Sequence, residues 1–275
     1  MGAACGVVLA PYPPTFGGVR PDDQRARGGY KLASWRAAYG ALHSGRGYYD
    51  AMPTAKTKVW ISFVVSFAAM AEAVLLSADT TDYWQVWVVL AVVAVTNIPL
   101  TQFITKTPRL LAARTKAGPR AEKRPSQKLI MGLIGLSSVA TYIVAGLDHQ
   151  FHWSNVPPWL AITGDLLVAL GMGMVYWVFK ENVFASATVE IATDQKVITT
   201  GPYAIVRHLM YASVTVYVIG MPLALASYWG LLASILTVLG LVWRVFDEEG
   251  MLASGLPGYR EYCASVRWRL VPGAF

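Results

Sequence analysis

The strongest constraint on this chain is a succession of apolar runs long enough to cross a bilayer. Residues 59–77, 83–103, 129–147 and 159–179 each approach or exceed the roughly 18 residues that span a hydrocarbon core. Two shorter runs follow at 210–225 and 229–245, joined by a turn at Ser227 and Tyr228. Inside a bilayer each backbone N–H and C=O must be satisfied within the protein, and single apolar runs of this length do so as helices. The expected fold is all-α: a polytopic membrane helical bundle of about six transmembrane helices. Composition agrees, with 55% hydrophobic and 14% charged residues, against about 25% charged in soluble domains.

The connectors orient the bundle, because Lys and Arg concentrate in cytoplasmic loops. Lys56 and Lys58 precede the first run, and loop 78–82 has no basic residue. The stretch 106–128 carries eight Lys or Arg and a single acidic residue, Glu122. Loop 148–158 again has no Lys or Arg, and Lys180, Lys196 and Arg207 follow the fourth run. This alternation places both termini and the stretch after the fourth run in the cytoplasm. It accounts for the net charge of +7 without a nucleic-acid partner. The 106–128 stretch reads as a topogenic loop, with binding of anionic membrane lipids as the alternative.

Three regions follow: a Gly-, Pro- and Arg-rich flexible tail (1–55), four transmembrane helices (56–181), and a C-terminal region (182–275). Most polar groups in the second region have a structural reading. Glu72 is expected near the far end of its helix, reaching the interface. Asp165 is expected to hydrogen-bond a neighbouring helix rather than do chemistry. His149 and His152 lack the carboxylate or Cys pattern of a metal shell, and Cys5 and Cys263 form no framework; no metal is expected. Trp84 and Trp87 fit an interfacial aromatic belt, and Pro99 is expected to kink the end of the second helix.

The region 182–275 concentrates the chemistry. The segment 199–211 contains Tyr203, Arg207, His208 and Tyr211, and the far end of the following hairpin carries Arg244, Glu248 and Glu249. Such groups stay near bilayer depth only with partners or a water-filled cavity. Arg244 and Glu248 are four residues apart and share a helical face. Beyond them Tyr259, Tyr262, Cys263 and Val266 recur at helical spacing. They predict a short cytoplasmic helix folding back over the site.

The order of these elements carries a resemblance. Residues 201–211 read G-P-Y-x-x-V-R-H-x-x-Y, residues 244–252 read R-x-x-x-E-E-x-x-L, and residues 258–262 read G-Y-x-x-Y. Across 182–272 the chain resembles the isoprenylcysteine carboxyl methyltransferase family, which takes in related phospholipid methyltransferases. The resemblance implies an integral membrane enzyme that uses S-adenosylmethionine in a cytoplasmic C-terminal cofactor-binding region. It assigns cofactor contacts to Gln195, Lys196, Val197 and Ile198 of the loop, to Tyr203 and His208, and to Glu248. It assigns positioning of the methyl acceptor to Arg244, and leaves Arg207 and Glu249 as supports. Tyr211 is suited by its own chemistry to stack on or hydrogen-bond the cofactor. Leu209 and Ser213 depart from the family pattern, which usually has Pro and Gly there.

A carboxylate acceptor is already a nucleophile, whereas an amine must first lose a proton, and the motif offers no obvious second base. The favoured activity is therefore methyl transfer to a lipophilic carboxylate such as an isoprenylcysteine-like group. The alternatives are a phospholipid or amine N-methyltransferase, a sterol-reductase-like NADPH enzyme, and a membrane transporter. A transporter would show repeat symmetry and polar groups at midplane in several helices; the sequence has neither.

Overall fold

The structure, a computed structural model, describes residues 46–115, 118–183, 185, 187–189, 191 and 195–275. Residues 1–45 of the expected tail lie outside these. The main helices are α1 (Arg46–Ala78), α2 (Trp84–Lys106), a short α3 (Pro108–Arg114), α4 (Pro125–Phe151), α5 (Pro158–Glu181), α6 (Leu209–Ala224), α7 (Tyr228–Gly255) and a short α8 (Tyr259–Ser265). Five of them are long and apolar enough to cross a membrane, and α6 is a shorter apolar helix. The chain is an all-α, multi-pass integral membrane protein.

Three boundaries differ from expectation. Residues 46–55, read as tail, belong to α1; once the apolar segment nucleates a helix, each added residue gains a hydrogen bond. α2 runs through Pro99 to Lys106. The sixth apolar run does not stop at Val245, because no Pro interrupts the turns that follow. It continues as one helix to Gly255, so Arg244, Glu248 and Glu249 stand on a single rod.

Close approach of small residues holds the bundle together, as is usual where lipid removes the hydrophobic drive between helices. A Cβ on Gly164 of α5 would lie 2.1 Å from the backbone nitrogen of Ala224 on α6. One on Gly171 would lie 2.7 Å from the nitrogen of Tyr217. The α5–α6 pair is thus an almost backbone-to-backbone hairpin. Gly146 of α4 packs as closely on α1, and Gly240 of α7 sits against Ile134 of α4. A hydroxyl pair, Ser137 Oγ and Thr237 Oγ1 at 2.7 Å, also links α4 and α7, a contact worth about 0.6 kcal/mol in a membrane.

The outer faces expose Leu76, Val95, Leu136, Leu166 and Leu236, a lipid-facing surface. At one end Trp84, Trp87, Trp153, Trp159 and Trp229 are exposed, forming the aromatic belt. The same end is locked by polar contacts. Asp148 accepts from Ser154 N and Ser154 Oγ at 2.7 Å each and from Ser227 Oγ. Tyr83 donates to the Leu225 carbonyl and stacks on His149. Glu72 is exposed on the outer face of α1. Asp165 corrects its expectation. It is buried, but its Oδ1 meets no hydrogen-bond partner among the described residues, because the α5–α6 face it adjoins is packed through glycine and backbone.

Candidate functional site

The other end of the bundle gathers the connectors α2–α4 and α5–α6 and the segment after α7 around one cavity. It encloses about 890 Å³ of atom-free space, part of it open to solvent. Every cofactor or acceptor contact expected from the sequence lines it: Gln195, Lys196, Val197, Ile198, Tyr203, His208, Tyr211, Arg244 and Glu248, with Arg207. Glu249 does not line it and acts from behind.

Local sequence explains how the signature reaches the cavity. After the non-helical strip 195–200, Gly201 adopts φ +57°, a left-handed conformation that favours glycine. Pro202 then opens a 3-10 turn, Gly201–Ala204, where its missing N–H costs nothing. The turn buries Tyr203, whose hydroxyl accepts from Asn182 Nδ2 at 3.2 Å. The next residues pair with the C-terminal segment. Val206 bridges Trp268 in parallel register, Arg207 N donates to the Trp268 carbonyl (3.0 Å) and His208 N to the Arg269 carbonyl (2.9 Å).

This pairing answers the substitution of Leu209 for the usual proline. A proline would keep the preceding histidine out of the α region. His208 is nonetheless outside it, at φ −113° and ψ 55°, as the N-cap of α6. Its backbone is held by Arg269, and its ring Nε2 lies 3.2 Å from Glu249 Oε1. Glu249 also meets Arg207 Nη2 at 3.0 Å and Arg269 Nε at 2.9 Å. One carboxylate thereby ties the signature loop, α7 and the C-terminal segment together.

On the cavity side of the same rod, Arg244 and Glu248 do not pair directly. Arg244 Nε donates to the Tyr211 hydroxyl at 2.9 Å, and that hydroxyl donates to Glu248 Oε2 at 2.5 Å. Among the described residues no cation lies within ion-pair distance of Glu248. Arg244 Nη2 donates to Glu122 Oε1 at 2.8 Å and to the Ala187 carbonyl at 3.2 Å. Its Nη1 is buried and meets no partner among the described residues. A buried unpaired donor costs about 1–3 kcal/mol, more when charged, so this N–H is a natural anchor for an anionic ligand atom.

Several site residues were not singled out from sequence. Tyr259 and Tyr262 were read as one apolar face of a short helix and as the tyrosines of the G-Y-x-x-Y motif, with no contact assigned to either. α8 is that helix, and both rings are buried and line the cavity, with Tyr262 Oη donating to the Tyr203 carbonyl at 2.7 Å. Burial raises the phenol pKa of Tyr203, Tyr259 and Tyr262 above its ordinary value, so all three remain neutral near pH 7. Leu252 and Leu256, one and two turns beyond Glu248, add an apolar wall. The basic stretch also proves structural: Arg124 grips Asp247 through both guanidinium nitrogens at 2.9 Å. Arg114 donates to the Ala185 carbonyl, and its burial pushes the guanidinium pKa down to about 10.

The model of the phospholipid methyltransferase family matches residues 159–255, from the start of α5 to the end of α7. This agrees with the family resemblance carried by the sequence motifs. Comparison with curated proteins gives no match.

Proposed function

We propose that this membrane protein, whose α5–α7 core matches the phospholipid methyltransferase family, transfers a methyl group from S-adenosylmethionine to a lipophilic carboxylate. The observation that carries the proposal is the arrangement on α7: a carboxylate with no cation partner among the described residues and a guanidinium whose buried Nη1 is spare among them, joined through one tyrosine hydroxyl at a common cavity.

The side chains fit the cofactor's chemistry. Glu248 spends Oε2 on Tyr211 and keeps Oε1 for an ammonium or ribose hydroxyl. Tyr203, Tyr259 and Tyr262 offer neutral aromatic faces, the 195–198 strip offers backbone groups, and exposed Lys196 offers a cation for the amino-acid carboxylate. When bound, S-adenosylmethionine supplies a methyl group on a positively charged sulfur; a carboxylate oxygen takes that methyl as an ester while the carbon–sulfur electron pair returns to a neutral thioether. The chain's contribution is positioning and exclusion of water. Arg244 holds the acceptor, and Leu252 and Leu256 dry the site beside its lipid tail. A carboxylate acceptor needs no general base; His208 is committed to Glu249, and Glu248 keeps Oε1 for the cofactor. The positive-inside pattern supports a cytoplasmic position for this end of the bundle.

The family's name favours a second reading, an amine-bearing phospholipid as acceptor. Alkali separates them, since a methyl ester releases methanol and a methylated amine does not.

The cofactor half is tested by calorimetry on the purified protein. S-adenosylmethionine should bind the wild type, and Glu248→Gln, Tyr203→Ala and His208→Ala should each weaken it. Loss of one charge-assisted hydrogen bond in Glu248→Gln corresponds to about tenfold or more. Unchanged affinity in all three variants, or tight NADPH binding instead, would overturn the assignment.

A further inference from the structure

Glu122 is the lone acidic residue in the basic stretch 106–128, and it lies outside the family match. It does not face solvent with its neighbours; its side chain is 1% exposed and the Arg244 side chain 6%. Glu122 Oε1 accepts from Arg244 Nη2 at 2.8 Å, and Oε2 accepts from the Val189 backbone N–H at 3.1 Å. Both oxygens are thus committed, one to the guanidinium and one to the backbone of the segment after α5. A guanidinium is a planar fork, so fixing one nitrogen and Nε fixes the third. With Nη2 on Glu122 and Ala187 and Nε on Tyr211, Nη1 is left buried and unpaired among the described residues.

We infer that Glu122 is a positioning residue for the acceptor site: it orients Arg244 so that Nη1 is presented to the acceptor's anionic group. This rests on the reading that Arg244 holds the acceptor. Burying an ion pair is costly unless its remaining hydrogen bonds are satisfied, and here, among the described residues, only the Nη1 N–H groups are left for a ligand. A helix surface ion pair would serve stability as well without burial. The connector α2–α4 thereby acts as part of the site and not only as a topological signal.

The test uses the full-length protein in detergent with Glu122→Gln, Glu122→Asp, Arg244→Lys and the double variant Glu122→Gln/Arg244→Lys. Gln is isosteric but satisfies only one of the two donors, since its amide nitrogen must face the other. With N-acetyl-S-farnesylcysteine as acceptor probe, Glu122→Gln should raise the acceptor KM about tenfold while cofactor affinity stays within about twofold. Glu122→Asp, which keeps the charge, should recover part of the loss. The double variant should be no worse than Arg244→Lys alone, as for residues acting through one contact. A wild-type KM in Glu122→Gln, multiplicative losses in the double variant, or equal loss of cofactor and acceptor affinity would each overturn the inference. A second readout is the Arg244 Nε–H resonance in arginine-labelled protein, identified by its absence in Arg244→Lys. It should shift and exchange faster in Glu122→Gln. Should the wild type methylate nothing, the functional reading falls by itself and this resonance decides the inference; an unshifted signal overturns it. If Glu122→Gln does not fold, Glu122→Asp gives the same comparisons at smaller amplitude.

Discussion

The Tyr211 hydroxyl joins the two halves of the site, accepting from Arg244 and donating to Glu248. A change at either charged residue is therefore felt at the other. Lysine at 244 keeps the charge but cannot reach Glu122, Ala187 and Tyr211 together while leaving a donor for ligand. Arg244→Lys should lower turnover about 100-fold, on the scale of a lost positioning contact, with S-adenosylmethionine affinity near normal. Arg244→Ala should lose more and also weaken the cofactor, because Tyr211 is then free to move away from Glu248. Side-by-side binding and transfer assays check both; a fully active Lys variant would remove Arg244 from the acceptor site. The shared face of Arg244 and Glu248 was legible in their four-residue spacing. The bridging tyrosine and the buried partner Glu122 were not, because both come from distant segments and spacing carries no tertiary information. Only the oddity of one acid among eight basic residues pointed to Glu122.

At the scale of elements, the site depends on α7 as a rigid rod and on the α5–α6 hairpin that holds the signature against it. Gly164→Ala is the sharpest probe of that hairpin, since the added methyl meets the Ala224 backbone and no side chain can yield. It should destabilise by about 1–3 kcal/mol, as overpacking does, lowering Tm by about 2–4 °C per kcal/mol. Gly173→Ala lies on the same helix with open space at its Cβ and should be neutral or gain up to about 1 kcal/mol from helix propensity. Thermal unfolding in detergent distinguishes them; equal melting temperatures would refute backbone-to-backbone packing. Apolar runs and turn residues made every spanning helix legible, while helix ends were less so. The run ending at Val245 is followed by Asp247, Glu248 and Glu249, which read as a boundary by hydropathy yet continue the helix to Gly255. Their polarity is absorbed by Arg124, Tyr211, Arg207 and Arg269, partners that only the fold supplies.

For the whole molecule, the bundle has a tryptophan-rich end locked by Asp148 and an end built of basic connectors around the cavity. The charge alternation predicts that the cavity end faces the cytoplasm. In a background lacking Cys5 and Cys263, single cysteines replacing Thr80 and Gln150 should label from outside intact cells. Those replacing Thr115 and Gln195 should label only after permeabilisation; outside labelling at 115 would invert the topology. The central claim, methyl transfer to a lipophilic carboxylate, is tested most directly by following a radiolabelled methyl group. Membranes containing the wild-type protein, incubated with methyl-labelled S-adenosylmethionine, should accumulate label in the organic-soluble fraction. Mild alkali should release it as methanol, and Glu248→Gln membranes should lack it. Label that alkali does not release as methanol would move the acceptor to an amine, and no transfer above membranes without the protein would contradict the account.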